Sequence, residues 1–249
     1  MNNDITAVAL LVLAAAFAAA ALFNRGRMAL IMLAAGLFTV LVALAVEVNA
    51  DWLTSLDDSM ERWLDAHRSR RWQVDADGAF SYLGRPFHVA SVGVVAGALL
   101  SLQARSAIRG LLVIGGVGAG LVLEQTFKAI VRRTPETLAA LHDGSLVAYQ
   151  HSFPSGHVTG ACTLLGMIAV CLGVGRGRAV KGGLAILVVT GVLCVAGLAL
   201  YSRAHIFSDV IGGMFLGGAI VAVGAAVLTP MRPRKPLRAE PLHAADMRV

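Results

Sequence analysis

Charge is scarce in this chain: Asp, Glu, Lys and Arg make up only 14% of its 249 residues, while 57% are hydrophobic. Soluble domains carry about 25% charge, so an ordinary water-soluble globule is excluded. Cysteine is scarce too. Cys162, Cys171 and Cys194 all fall inside apolar runs without Cys-x-x-Cys spacing, which argues against a disulfide or metal framework and leaves them as small apolar fillers. The acidic residues form no convincing metal site, and no cofactor is expected. Lysine and arginine are missing ahead of the first apolar run, Ile5 to Phe23. A cleaved signal peptide normally opens on positive charge, so this run is expected to be a retained helix.

What is present is apolar sequence in lengths of about 20 residues, enough to cross a ~30 Å hydrocarbon layer. Such runs occupy Ile5 to Phe23, Met28 to Val46, Pro86 to Leu102, Gly110 to Phe127, Gly156 to Val174, Leu184 to Tyr201 and Val210 to Leu228. The expected fold class is all-α, a polytopic transmembrane helix bundle. The 27 glycines suit it, because small residues let membrane helices approach closely. Between the second and third runs, Glu47 to Arg85 is polar, yet Trp52, Leu56, Met60, Trp63 and Leu64 recur at helical spacing. That pattern predicts an amphipathic helix lying on the membrane face.

The net charge of +6 is a matter of placement. Lysine and arginine concentrate in the short turns at 24–27, 103–109 and 176–181 and in the tail from 230, almost without acids. The positive-inside rule puts those turns and the tail in the cytoplasm. The N-terminus and residues 47–85, 128–155 and 202–207 then lie on the outer face. The basic balance is thus a topology signal: the expected partner is the lipid bilayer, and nucleic acid is not implied.

Three stretches on that outer face carry chemistry. Pro154-Ser155-Gly156-His157 precedes a long apolar run. Ser155 and Gly156 at a helix start leave backbone N–H groups unpaired, backed by the positive end of the helix dipole, and His157 adds a proton donor or acceptor. Alone, the stretch also reads as an ordinary helix cap beside an interfacial histidine. His205 and Asp209 stand four apart, which on a helix puts them on one face, so that the carboxylate fixes the imidazole tautomer and frees the other ring nitrogen as a nucleophile. A structural cap is the alternative. Lys128, Arg132 and Arg133 cluster at a helix exit, suited either to lipid headgroups or to clamping a phosphoryl group.

Together these blocks resemble the type 2 phosphatidic acid phosphatases, a superfamily that includes bacterial acid phosphatases and vanadium haloperoxidases. That family shows Lys, six residues, Arg-Pro; then Pro-Ser-Gly-His; then Ser-Arg, five residues, His, three residues, Asp. The middle block matches as Pro154 to His157, and the end of the third as His205-Ile-Phe-Ser-Asp209. The resemblance covers roughly Met28 to Leu228. It implies residues 1–27 as an added helix and turn, 28–229 as a six-helix membrane phosphatase domain, and 230–249 as a basic cytoplasmic tail. Two positions depart from the pattern. Pro135 stands where the first block has its arginine, with Arg133 or Arg132 nearest, and Ala199 stands where the third block has its own, with Arg203 one helical turn later. If the helix continued through residue 203, Arg203 would reach back toward the place left at 199.

The resemblance implies a metal-independent phosphatase of the cell membrane, acting from the extracytoplasmic face on a lipid phosphate or diphosphate of the polyprenyl diphosphate, phosphatidylglycerophosphate or phosphatidate type. His205 would be the nucleophile, Asp209 its orienting carboxylate and His157 the general acid and base. Lys128, Arg133, Ser155, Gly156 and Arg203 would hold the phosphate. A lipid-linked phosphotransferase, a catalytically impaired lipid-phosphate binder and a transporter use overlapping features. The transporter fits least, because the charges sit at helix ends.

Overall fold

The structure, a computed structural model, describes residues 2–83, 86–141 and 149–230. The expected tail therefore lies outside the described residues, apart from Pro230. Among the described residues all regular structure is helical. Seven helices are long and apolar enough to cross a membrane: α1 (Asn2–Phe23), α2 (Arg27–Val46), α5 (Pro86–Ala104), α6 (Ala107–Ile130), α8 (Gly156–Gly173), α9 (Arg178–Tyr201) and α10 (Phe207–Leu228). Each coincides with an apolar run, because runs of that length satisfy all their backbone groups only as helices when no water is present. The basic turn at 176–181 is partly absorbed, since Arg178 and Lys181 already lie in α9.

α10 is the hub. It is the most enclosed crossing and packs on α2, α6, α8 and α9. Its glycines allow this: a Cβ added at Gly213 would stand 2.7 Å from the carbonyl oxygen of Ser155, and one at Gly217 2.6 Å from Cys162 Cβ. The backbones of α8 and α10 therefore touch where Pro154 to His157 meets the His205–Asp209 stretch. α1 packs on α2, with Gly36 receiving Phe17.

Where a single interfacial helix is expected, there are two, α3 (Asp51–His67) and α4 (Arg70–Leu83), broken at the extended Arg68. The apolar stripe faces out: Trp52, Leu56 and Trp63 are exposed, as suits a helix seated among headgroups. Its opposite face, carrying Leu53, Asp57 and Glu61, is buried against the end of the bundle. The short helix α7 (Pro135–Ala140), capped by Thr134, completes this end.

Candidate active site

α6, α8, α9 and α10 bring the three sequence blocks to the same end of the bundle. The loop after α6 is pinned by Asn49. Its amide donates to the Arg132 carbonyl at 2.9 Å, and its Oδ1 accepts from the Thr134 N–H at 2.8 Å and the Thr137 hydroxyl at 3.0 Å. Held that way, Arg132 points out and Arg133 points in.

His205 and Asp209 do meet, by a different route from the expected shared helix. α9 ends at Tyr201, and His205 lies in the bend ahead of α10, whose N-cap is Ile206. From there Nδ1 reaches Asp209 Oδ2 at 3.2 Å. An ionised carboxylate only accepts, so Nδ1 carries the hydrogen and Nε2 is left with its lone pair. Asp209 is completely buried, a costly place for a charge without a partner. Arg133 supplies that partner.

The Arg133 guanidinium is 2% exposed and fully engaged at both terminal nitrogens. Nη2 donates to Asp209 Oδ1 at 2.6 Å and to Ser208 Oγ at 3.0 Å; Nη1 donates to the Tyr149 carbonyl at 3.1 Å and to Ser152 Oγ at 2.9 Å. It is the arginine of the 132–133 pair that enters the site, and it lies behind the carboxylate that orients His205.

α8 starts as expected. Ser155, wholly buried, caps it by accepting from the Val158 N–H, and the Ser155 N–H donates to the Asp209 carbonyl at 2.9 Å. The next N–H groups, of Gly156 and His157, belong to the first turn and have no carbonyl one turn back. The His157 ring stacks on Phe80 of α4, with centroids 3.9 Å apart, and its edge addresses the His205 ring at 6.3 Å. Lys128 forms an ion pair with buried Glu124 one turn earlier. A Cβ at Gly156 would come within 2.7 Å of the Glu124 carboxylate, so this pair abuts the start of α8.

Arg203 corrects the one-turn argument. The helix does not continue through it: Arg203 has φ 59°, the left-handed conformation usual just past a helix end. Its N–H bonds to the Leu200 carbonyl at 3.2 Å, and the Ala204 N–H bonds to the Ala199 carbonyl at 3.1 Å. This reciprocal pairing closes α9. The side chain turns toward α3, where Nη2 meets Asp65 Oδ1 at 2.5 Å and Nε lies 3.4 Å from Glu61. Ala199 itself is fully buried, in an apolar cluster with Phe80, Val158 and Val210.

An apolar groove of about 330 Å³ between α5, α6 and α8 leads to these groups. Exposed Val94, Ile114 and Leu121 line its outer part, and Lys128, Gly156 and His157 its inner end. Four residues of this site have no counterpart in the sequence motifs: Asp57, Ser208, Glu124 and Phe80. Glu124 carried a usable signal, an acid within an apolar run. The others carried none.

The sequence profile of the PAP2 superfamily matches residues 109–232. No curated protein matches the chain. Among solved structures, the fold is similar to the crystal structure of a transmembrane PAP2 type phosphatidylglycerolphosphate phosphatase from Bacillus subtilis, with a TM-score of 0.62 and 22% identity over 76% of this chain and 92% of that one.

Proposed function

Because this chain belongs to the PAP2 superfamily, in its membrane-embedded branch, we propose that it hydrolyses a lipid phosphate or diphosphate through a phosphohistidine. The observation that carries this reading is the buried His205–Asp209 pair facing His157 at the inner end of an apolar groove. The groove suits a lipid chain, and the two imidazoles suit a phosphoryl group between them.

Nε2 of His205 attacks phosphorus as the bond to the leaving oxygen breaks, and His157 gives that oxygen its proton. His157 then takes a proton from water, which attacks phosphorus and breaks the P–N bond. Asp209 holds the tautomer and balances the charge that builds on the imidazole. Lys128, Arg203 and the N–H of Gly156, at the helix start that Ser155 caps, stabilise the equatorial oxygens. Arg133 is reassigned from phosphate to Asp209, since its four Nη hydrogens already have protein acceptors. The basic turns at the other end of the bundle support an extracytoplasmic site on the cell membrane.

Phosphate release from detergent-solubilised protein tests the reading, with short-chain phosphatidylglycerophosphate, phosphatidate and a polyprenyl diphosphate compared side by side. Release from at least one, unchanged in EDTA, is the expected result. No release from any overturns the hydrolase, and loss in EDTA restored by a divalent ion overturns the metal-free mechanism.

Arg203→Gly isolates the guanidinium, because glycine adopts the left-handed backbone without cost. If Arg203 turns from Asp65 to the transferred phosphoryl group, kcat falls about 10²–10³ with folding intact, the scale of one lost electrostatic donor. A fall under roughly tenfold at saturating short-chain substrate leaves Arg203 as a tether between the α9 end and α3, outside the chemistry.

A further inference from the structure

Asp57 belongs to none of the motifs, yet it sits at the far end of an unbroken hydrogen-bonded series reaching the nucleophile. Its Oδ1 accepts the backbone N–H of Ser208 at 2.7 Å, and its Oδ2 accepts the Ser208 hydroxyl at 2.7 Å. Ser208 Oγ accepts from Arg133 Nη2, which donates also to Asp209, which holds His205. Every member is buried. The direction of the series is fixed by chemistry: a guanidinium only donates and an ionised carboxylate only accepts, so Ser208 Oγ accepts from Arg133 and gives its one hydrogen to Asp57.

We propose that Asp57, on the interfacial helix α3, is a positioning residue for the reaction, holding Ser208 and Arg133 so that Asp209 presents His205 for attack. This rests on the phosphohistidine reading above. Two further observations bear on it. The Asp57 carboxylate supplies the side-chain cap of α10 that its own N-cap, Ile206, lacks, so the helix bearing Asp209 is seated by α3. The charged groups acting on Asp57 are Arg133 from the loop after α6 and Asp209 from α10; Glu61, one turn along α3, is engaged by Arg68 and Arg203. One guanidinium thus stands between two buried carboxylates. Burial pushes the Asp57 carboxyl up to about 6, against the lowering effects of the Ser208 bonds and Arg133. Asp57 is therefore charged at neutral pH and gains a proton near pH 6, which weakens its hold on Ser208.

A cap alone would affect folding without touching the chemistry, and two variants separate the roles. Ser208→Ala keeps the backbone N–H bond to Asp57 and cuts the side-chain link; Asp57→Asn keeps the shape and removes the charge. Steady-state phosphate release is measured with short-chain lipid phosphate across pH, beside thermal unfolding and His205→Ala. Both variants are expected to lower kcat about 10–100-fold at unchanged KM, the scale of a lost charge-assisted bond. The double variant is expected to be no worse than the poorer single one, because both act on one path. In Asp57→Asn the acid limb of kcat moves to lower pH, since the carboxyl that gains a proton near pH 6 has gone. Wild-type kcat in Ser208→Ala, or an unmoved acid limb in Asp57→Asn, overturns the proposal. If Asp57→Asn does not fold, Ser208→Ala decides alone. Undiminished turnover in His205→Ala would instead overturn the phosphohistidine reading itself.

Discussion

His205→Ala is expected to abolish both turnover and the acid-labile phosphoprotein. No other group stands ready to replace it: His157 leans on Phe80 and addresses the His205 ring at 6.3 Å, while the carboxylates nearby are engaged, Asp209 by His205 and Arg133, Asp57 by Ser208, and Glu124 by Lys128. Loss of a nucleophile that acts as a unit with its orienting group commonly costs on the order of 10⁶ in kcat. Rapid quench with substrate labelled in the phosphoryl group measures the covalent intermediate directly. His157→Ala serves as the contrast, slowing turnover by roughly 10²–10⁴ while still forming phosphoprotein, as loss of a proton-transfer group does. Labelling of His205→Ala at the wild-type level would place the nucleophile elsewhere.

Arg133→Met is expected to have the second largest effect, on stability as much as on rate. Methionine fills much of the volume but leaves Asp209 buried without a cation. Removing one partner of a buried ion pair costs about 3–5 kcal/mol. The side-chain acceptors on Ser152 and Ser208 lose their donor as well. The expected result is a markedly lower unfolding temperature in detergent together with loss of activity. Arg133→Lys restores the charge without the planar fork and recovers part of the stability. A phosphate-binding role gives a different pattern: wild-type stability, with weaker competitive inhibition by inorganic phosphate. That pattern would return Arg133 to the role the motif spacing suggests.

These two residues mark how far the sequence could be read. The seven crossings were legible because a membrane span must be long, apolar and helical. The pairing of His205 with Asp209 was legible too, although spacing suggested a shared helix and the chain instead places His205 in the bend before the cap. Choosing between Arg132 and Arg133 was not possible, because the answer depends on Asn49, more than eighty positions away, pinning their loop. Arg203 misled the helix argument because an arginine occupies a left-handed position that usually signals itself by glycine. Asp57 was hidden by a habit of soluble proteins. There, the polar face of an amphipathic helix meets water; here the apolar stripe of α3 faces outward and the acidic face turns in toward a polar site.

The groove between α5 and α6 has a consequence for how rates depend on substrate. Its outer lining, Val94, Ile114 and Leu121, is exposed along the membrane-crossing helices α5 and α6, so the proposed lipid phosphate is expected to arrive sideways, within the plane of the bilayer. The quantity that governs occupancy is then the mole fraction of substrate among its neighbouring lipids, and the volume of the surrounding solution drops out. Adding inert detergent at a fixed substrate amount dilutes the surface and lowers the rate, while adding buffer does neither. Half-saturation belongs on a scale of mole per cent.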